Sequence, residues 1–158
     1  MNLRQLLLFS FLLFASHTIG QDCPTSSLFF SSQSEIDDFF INYPNCTEIE
    51  GNVNVRDSET ITNLLGFQNI TLIGGDFDIC SNDNLVSLLG LDNLISVGGD
   101  LLISSNDNLT SLSGLDNLNT IGMDFNLINN DELTDLSNLN SLTSIGEDLI
   151  IRLSLIHI

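Results

Sequence analysis

The sequence contains no lysine, and arginine occurs only at positions 4, 56 and 152. Against these cations stand 21 aspartates and glutamates, giving a formal net charge of −18. Binding a polyanion needs cationic side chains that displace its counterions, so DNA, RNA and anionic lipid headgroups are excluded as partners. Histidine is as scarce, with only His17 and His157. With no lysine and a lone Arg56 inside the repeats, a base for proton transfer is hard to assemble. No GxSxG, HExxH or P-loop motif is present. The chain is therefore not expected to be an enzyme. Such acidity would suit a disordered chain, but a hydrophobic content of 42% argues for a packed core.

Long apolar runs are also missing. Leu6 to Ala15 is apolar, but Ser16, His17 and Thr18 interrupt it before the roughly 18–20 residues a membrane span requires. Arg4 ahead of this run, and the small Thr18 and Gly20 behind it, give residues 1–20 the pattern of a signal peptide cut before Gln21. Gln21 and Asp22 are not the small residues that precede a lipidated cysteine. No membrane insertion is expected after cleavage, and the mature chain is expected to be secreted or at the cell surface.

Cysteine is limited to three residues. Cys23 and Cys46 bracket a non-repetitive segment over residues 21–50. A disulfide between them would close a loop worth about 3 kcal/mol by chain entropy. Cys80 is left over, either as a free thiol or for pairing outside the chain.

What the sequence does have is a repeat. From Gly51 a 24-residue unit recurs without insertion, starting again at Gly75, Gly99, Met123 and, partially, Glu147. In the third copy the recurrent aliphatic positions are Leu101, Ile103, Leu109, Leu112, Leu115, Leu118 and Ile121. The first two alternate, as in a short strand with one face inward. The later ones step by three, which suits a tight coil or 3₁₀ turns and not a long amphipathic helix. Gly74, Gly98, Gly122 and Gly146 mark a corner before each strand. Seven buried side chains at about 1.5–3 kcal/mol each cannot offset the ordering of 24 backbones at about 1–2 kcal/mol each. Copies must therefore stack and share one core over residues 51–151. Ser58, Asn82, Asn106 and Asn130 fall at one position per copy and are expected to form an interior ladder to neighbouring backbones.

The stretch from Cys23 through Asn-Cys-Thr-Glu-Ile-Glu-Gly-Asn-Val-Asn-Val (Asn45 to Val55), with the later Ile-Gly-Gly-Asp and Leu-Leu-Ile-Ser elements, resembles the receptor L-domain. That is the leucine-rich module of insulin-receptor and epidermal-growth-factor-receptor ectodomains. The resemblance covers Cys23 to about Ile151. In its regular, asparagine-rich copies the chain is closer in style to secreted repeat proteins of Bacteroidota-type bacteria. The resemblance implies a Cys23–Cys46 bridge capping the N-terminal end. It also implies a mostly β fold, a right-handed leucine-rich-repeat or β-helix-like solenoid with short parallel strands and 24-residue coils. The uniform repeat, Cys80 and the lack of kinase or cysteine-rich modules are departures, so hormone-receptor function is not carried over.

Outward strand positions are Asn52, Asn54 and Arg56, then Asp76, Asp78 and Cys80, then Asp100, Leu102 and Ser104, then Asp124, Asn126 and Ile128. The expected binding face is Asn54, Arg56, Asp78, Leu102, Ser104 and Asn126, with a protein or glycan ligand. No cofactor is expected. The lesser reading is a calcium ladder on Asp76, Asp100 and Asp124, which parallel stacking sets at about 4.8 Å steps. Asp83, Asp107 and Asp131 form a second acidic row, read as turn capping. Two further functions are the alternatives, a structural spacer in a larger surface protein and a calcium-dependent carbohydrate-active enzyme. Cys80 on an exposed strand is expected to be a passive free cysteine, or to pair outside the fragment, and not a reactive thiol, because no basic neighbour is foreseen to lower its pKa. The Asn45, Asn69 and Asn108 sequons matter only in a eukaryotic pathway, and the bacterial-like pattern discounts them. Residues 152–158 break the register, resemble translated adapter sequence, and are expected to be a non-native tail on a fragment.

Overall fold

The computed structural model describes residues 22–153. The signal peptide read over 1–20 and residues 154–158 of the tail lie outside them. Strand β1 (Leu28–Phe30) and helix α1 (Gln33–Asn42) come first. The chain then alternates short and longer strands: β2 (Glu48–Ile49) and β3 (Val53–Arg56), then β4 (Leu72–Ile73) and β5 (Phe77–Cys80). Next come β6 (Ser96–Val97) and β7 (Leu101–Ser104), followed by β8 (Thr120–Ile121) and β9 (Phe125–Ile128). The last pair is β10 (Ser144–Ile145) and β11 (Leu149–Arg152). The longer strands form a six-stranded sheet in the order β1-β3-β5-β7-β9-β11. The two-residue strands form a five-stranded sheet in the order β10-β8-β6-β4-β2. All pairings are parallel. The fold is mostly β, with one α-helix among the described residues.

The repeat length becomes the pairing register. Val53 lies beside Phe77, Phe77 beside Leu101, Leu101 beside Phe125 and Phe125 beside Leu149. Alternation does what the sequence indicates, since Leu101 and Ile103 are wholly buried while Leu102 and Ser104 are half-buried on the outer face. The three-residue steps bring Leu109, Leu112, Leu115, Leu118 and Ile121 into the same core. Each four-residue strand from β3 to β9 stops at a residue in the left-handed region: Asp57, Ser81, Ser105 or Asn129, with φ of 51–57°. Asp and Asn tolerate that geometry better than most side chains. The second sheet was not anticipated; its two-residue strands are too short for an alternation signal. Arg152, placed by the sequence reading in the tail, completes β11 by pairing with Ile128.

In the three-step region the coils differ. Leu65–Phe67 and Ser137–Leu139 are 3₁₀ turns. The middle coils instead turn at Gly90 and Gly114, which have φ of 112° and 110°. There the carboxylates of Asp92 and Asp116 accept from the Gly90 and Gly114 N–H groups. The first and last coils carry Gln68 and Asn140 at that position, and take the helical turn.

The N-terminal end is covered by α1, which the sequence reading missed. Its signal is a capping box: the Ser32 hydroxyl accepts from the Glu35 N–H, and the Glu35 carboxylate accepts from the Ser32 N–H. Ile36 and Phe39 face inward, and Phe30, Phe39 and Phe67 meet with ring centroids 5.1–5.7 Å apart. A Cβ at Gly66 would stand 2.0 Å from the Ile36 carbonyl oxygen, so only glycine lets the helix seat this closely. Cys23 and Cys46 form the disulfide, with Cys46 buried at the position held by Ile70 and Leu94 in the next coils.

Asn82, Asn106 and Asn130 are wholly buried. The Asn106 Oδ1 accepts from the Asn82 N–H at 3.1 Å, and the Asn130 Oδ1 accepts from the Asn106 N–H at 3.1 Å. Their Nδ2 groups donate to Val55, Ile79 and Ile103 carbonyls at 2.9–3.0 Å. Ser58 interrupts the column. Its N–H donates to the Ser81 carbonyl, and the Asn82 Oδ1 is left without a partner. Exposed asparagines repeat the theme at the rim, where Asn84 and Asn108 donate to the Glu59 and Asp83 carbonyls. Asn106→Ala orphans the Asn82 N–H and the Ile79 carbonyl, and should cost roughly 2–6 kcal/mol at about 1–3 per buried group. Asn108→Ala, at the exposed rim, should cost less than about 1 kcal/mol. Urea unfolding of the two variants measures the difference; equal losses would mean the buried column does not hold the coils together.

Candidate binding face

The outer face of the six-stranded sheet collects every residue the sequence nominated for binding. Asn54, Asp78, Leu102 and Asn126 stand in one row, each paired with the next in register. Arg56 and Ser104 stand in the adjacent row, separated by Cys80 and followed by Ile128. Along the inward rows the chemistry is constant, while along the outward row it runs amide, carboxylate, aliphatic, amide. Phe29 extends that row beyond Asn54 and is 73% exposed, the most exposed large apolar side chain described. It escaped the sequence reading because β1 precedes the repeat and carries no copy of its pattern.

The aspartate row has a structural task. Asp76 Oδ1 accepts from the Asp100 N–H at 3.0 Å, Asp100 Oδ1 from the Asp124 N–H at 2.9 Å, and Asp124 Oδ1 from the Asp148 N–H at 2.8 Å. Asn52 opens the series by accepting from the Asp76 N–H and donating to its other carboxylate oxygen. Backbone amides thus intervene between like charges that would otherwise repel. Among the described residues no group of three or more His, Cys, Asp or Glu side chains converges as a metal site.

Arg56 and Asp78 form the ion pair of the face, with the Arg56 side chain 43% exposed. Such a pair contributes at most about 1 kcal/mol and mainly fixes where the charges sit. Arg56 also lies beside Cys80 in register, which corrects the expectation that this thiol has no basic neighbour. Cys80 is moreover nearly buried, at 9% exposure, and Ser104 Oγ donates to its sulfur at 3.3 Å. Burial raises the thiol pKa, opposed by the Ser104 hydrogen bond and the Arg56 charge, and the net direction is up. Low reactivity survives as the expectation, for a different reason.

No protein-family model, no curated protein and no solved structure matches the chain.

Two measurements follow from this geometry. Asp100→Asn keeps the acceptor and removes one of the stacked charges, so its stability should equal the native value or exceed it by up to about 1 kcal/mol. Asp100→Ala should lose about 0.5–1.5 kcal/mol. A melting temperature that rises with calcium in the native chain, and not in Asp100→Asn, would instead assign the row to a cation. Cys80 should alkylate at least about tenfold more slowly in the folded chain than in urea at mildly alkaline pH; equal rates would place the thiol in solvent.

Proposed function

We propose that this chain is an exported, non-catalytic recognition module, a right-handed leucine-rich-repeat solenoid of the receptor L-domain type, which binds a protein or glycan through the six-stranded sheet. The observation that carries the reading is the contrast between the two faces of one set of strands. Inward positions repeat in chemistry from coil to coil, as a shared core requires. Outward positions share a backbone register but differ in side chain, presenting a rigid, shallow surface of mixed amide, carboxylate and aliphatic groups. Surfaces of that kind sort partners by shape and by complementary polar groups, not by chemistry performed on them. The Cys23–Cys46 bridge suits an oxidising compartment outside the cytosol. Among the described residues no helix is long and apolar enough to cross a membrane. On the same face Arg56 is already held by Asp78, and the Asp76, Asp100 and Asp124 carboxylates already accept backbone bonds. That engagement also favours the second reading, a structural spacer whose aspartates hold the stack and meet no ligand.

Immobilised chain screened against glycan and extracellular-protein panels separates the two. A recognition module gives saturable binding that Leu102→Asp or Asn126→Arg weakens at least about tenfold, worth about 1.4 kcal/mol. Substitution of exposed Thr110, which lies outside the sheet, should leave that binding unchanged. A folded chain with no saturable ligand, or one whose binding ignores both face substitutions, speaks for the spacer.

A further inference from the structure

The side chains on the outer face of the six-stranded sheet narrow the chemistry of what it binds. Along one row, from β1 to β7, stand Phe29, Asn54, Asp78 and Leu102, each beside the next in register. Two apolar side chains thus flank an amide and a carboxylate, and lie about 14 Å apart at roughly 4.8 Å per strand. Phe29 is 73% exposed, so most of its ring meets solvent. On one side of the row the Arg56 guanidinium donates to the Asp78 carboxylate. On the other, Asn52 donates to Asp76. Asp100 and Asp124 accept the amides of the following coil through Oδ1, which leaves Oδ2 of each as a further acceptor among the described residues. The face is rich in fixed acceptors, and Asp78 already answers the charge of Arg56.

The complement of such a face has many hydroxyl donors and no negative charge, because a formal net charge of −18 repels an anion. It is also narrow. From β1 to β9 the strip spans four strand spacings, about 19 Å, and a four-residue strand is about 13 Å long, so its area is on the order of 250 Å². A standard protein interface covers about 800 Å² per partner, several times that strip. A linear sugar chain meets all three conditions. Its edges donate hydroxyls, its units recur at about the strand spacing, and the C–H face of a sugar ring is drawn to the negative face of an aromatic ring. The polar side chains are held by one another and by the backbone before a ligand arrives, so little rotamer freedom is lost on binding. Resting on the recognition reading above, we propose that the ligand is a neutral linear glycan. One sugar ring stacks on Phe29, and the hydroxyls beside it bond to Asn54, Asp78 and Arg56.

Isothermal titration calorimetry of the chain with soluble β-glucan, glucomannan, arabinoxylan and chitin oligosaccharides, with alginate as the anionic control, tests the assignment. The expected result is saturable binding to at least one neutral glycan and none to alginate. Because the ligand carries no charge, its Kd should change less than about twofold between roughly 50 and 500 mM salt. Phe29→Ala should weaken binding at least about tenfold, whereas Phe29→Tyr, which keeps the ring, should retain it. Asn54→Ala should weaken it too, and equal melting temperatures will show that these variants fold. Ile95→Ala, at an apolar residue 51% exposed outside the six-stranded sheet, should leave binding unchanged. Glycan binding that ignores Phe29→Ala and Asn54→Ala would overturn the proposal. So would a chain that binds none of the four glycans but holds a protein, lost in Leu102→Asp; the recognition reading would then stand without this one. A basic protein held only at low salt would be the form of that result that charge alone produces. No saturable ligand of either kind would overturn both readings.

Discussion

Each coil of this protein leaves main-chain N–H and C=O groups pointing along the stack, and only the neighbouring coils can satisfy them. A coil is too small to bury its own side chains, so the core and the hydrogen bonds are both shared property of adjacent copies. The buried asparagines show how tightly this constraint binds. Each fills the space at a strand end where the backbone turns left-handed, and serves main-chain groups that no other coil can reach. An unsatisfied amide in that position costs more than a methylene missing from the core, which is why a polar residue holds the centre of an apolar interior.

The same constraint divides labour between rows of acidic residues. Asp76, Asp100 and Asp124 point outward, yet their nearest partners are amides of the following coil, and they act as lateral struts. Asp92 and Asp116 close turns within their own coil; the Asn138 amide and the Gly114 N–H hold the Asp116 carboxyl below its usual pKa. Part of the negative charge is thus tied to main-chain groups. The variable part of the surface is narrower, essentially the row from Phe29 through Asn54, Asp78, Leu102 and Asn126 and the row beside it.

Much of this was legible before any coordinates. A strict 24-residue period points to one pairing register, because a slip of one residue would turn the apolar strand positions outward. Alternation in Leu101 to Ser104 and the three-residue steps after it located strand, turns and core. The interior role of Asn82, Asn106 and Asn130 followed from their position just past each strand. What escaped had either no repetition or too little length. Helix α1 occurs once, and its capping box at Ser32 and Glu35 is a local signal easily outweighed by the neighbouring repeats. The two-residue strands carry no pattern that sequence alone can register. Arg56 and Cys80 are distant in sequence and become neighbours only through the stack. The period and the alternation set which residues share the rows of the outer sheet face, while the side-chain chemistry along those rows differs at every coil.

The unpartnered Asn82 Oδ1 gives the column a direction. Each asparagine carbonyl looks toward the preceding coil for its donor, and the search ends at Ser58, where the backbone has turned to another acceptor. Because every interior step of the column is the same, copies can be gained or lost only as whole units. A duplication of 24 residues between Gly98 and Gly99 would slot into every ladder at once, whereas a change of any other length would shear all of them downstream. The gene for such a protein can lengthen or shorten its product in steps, but it cannot drift by single codons inside the stack.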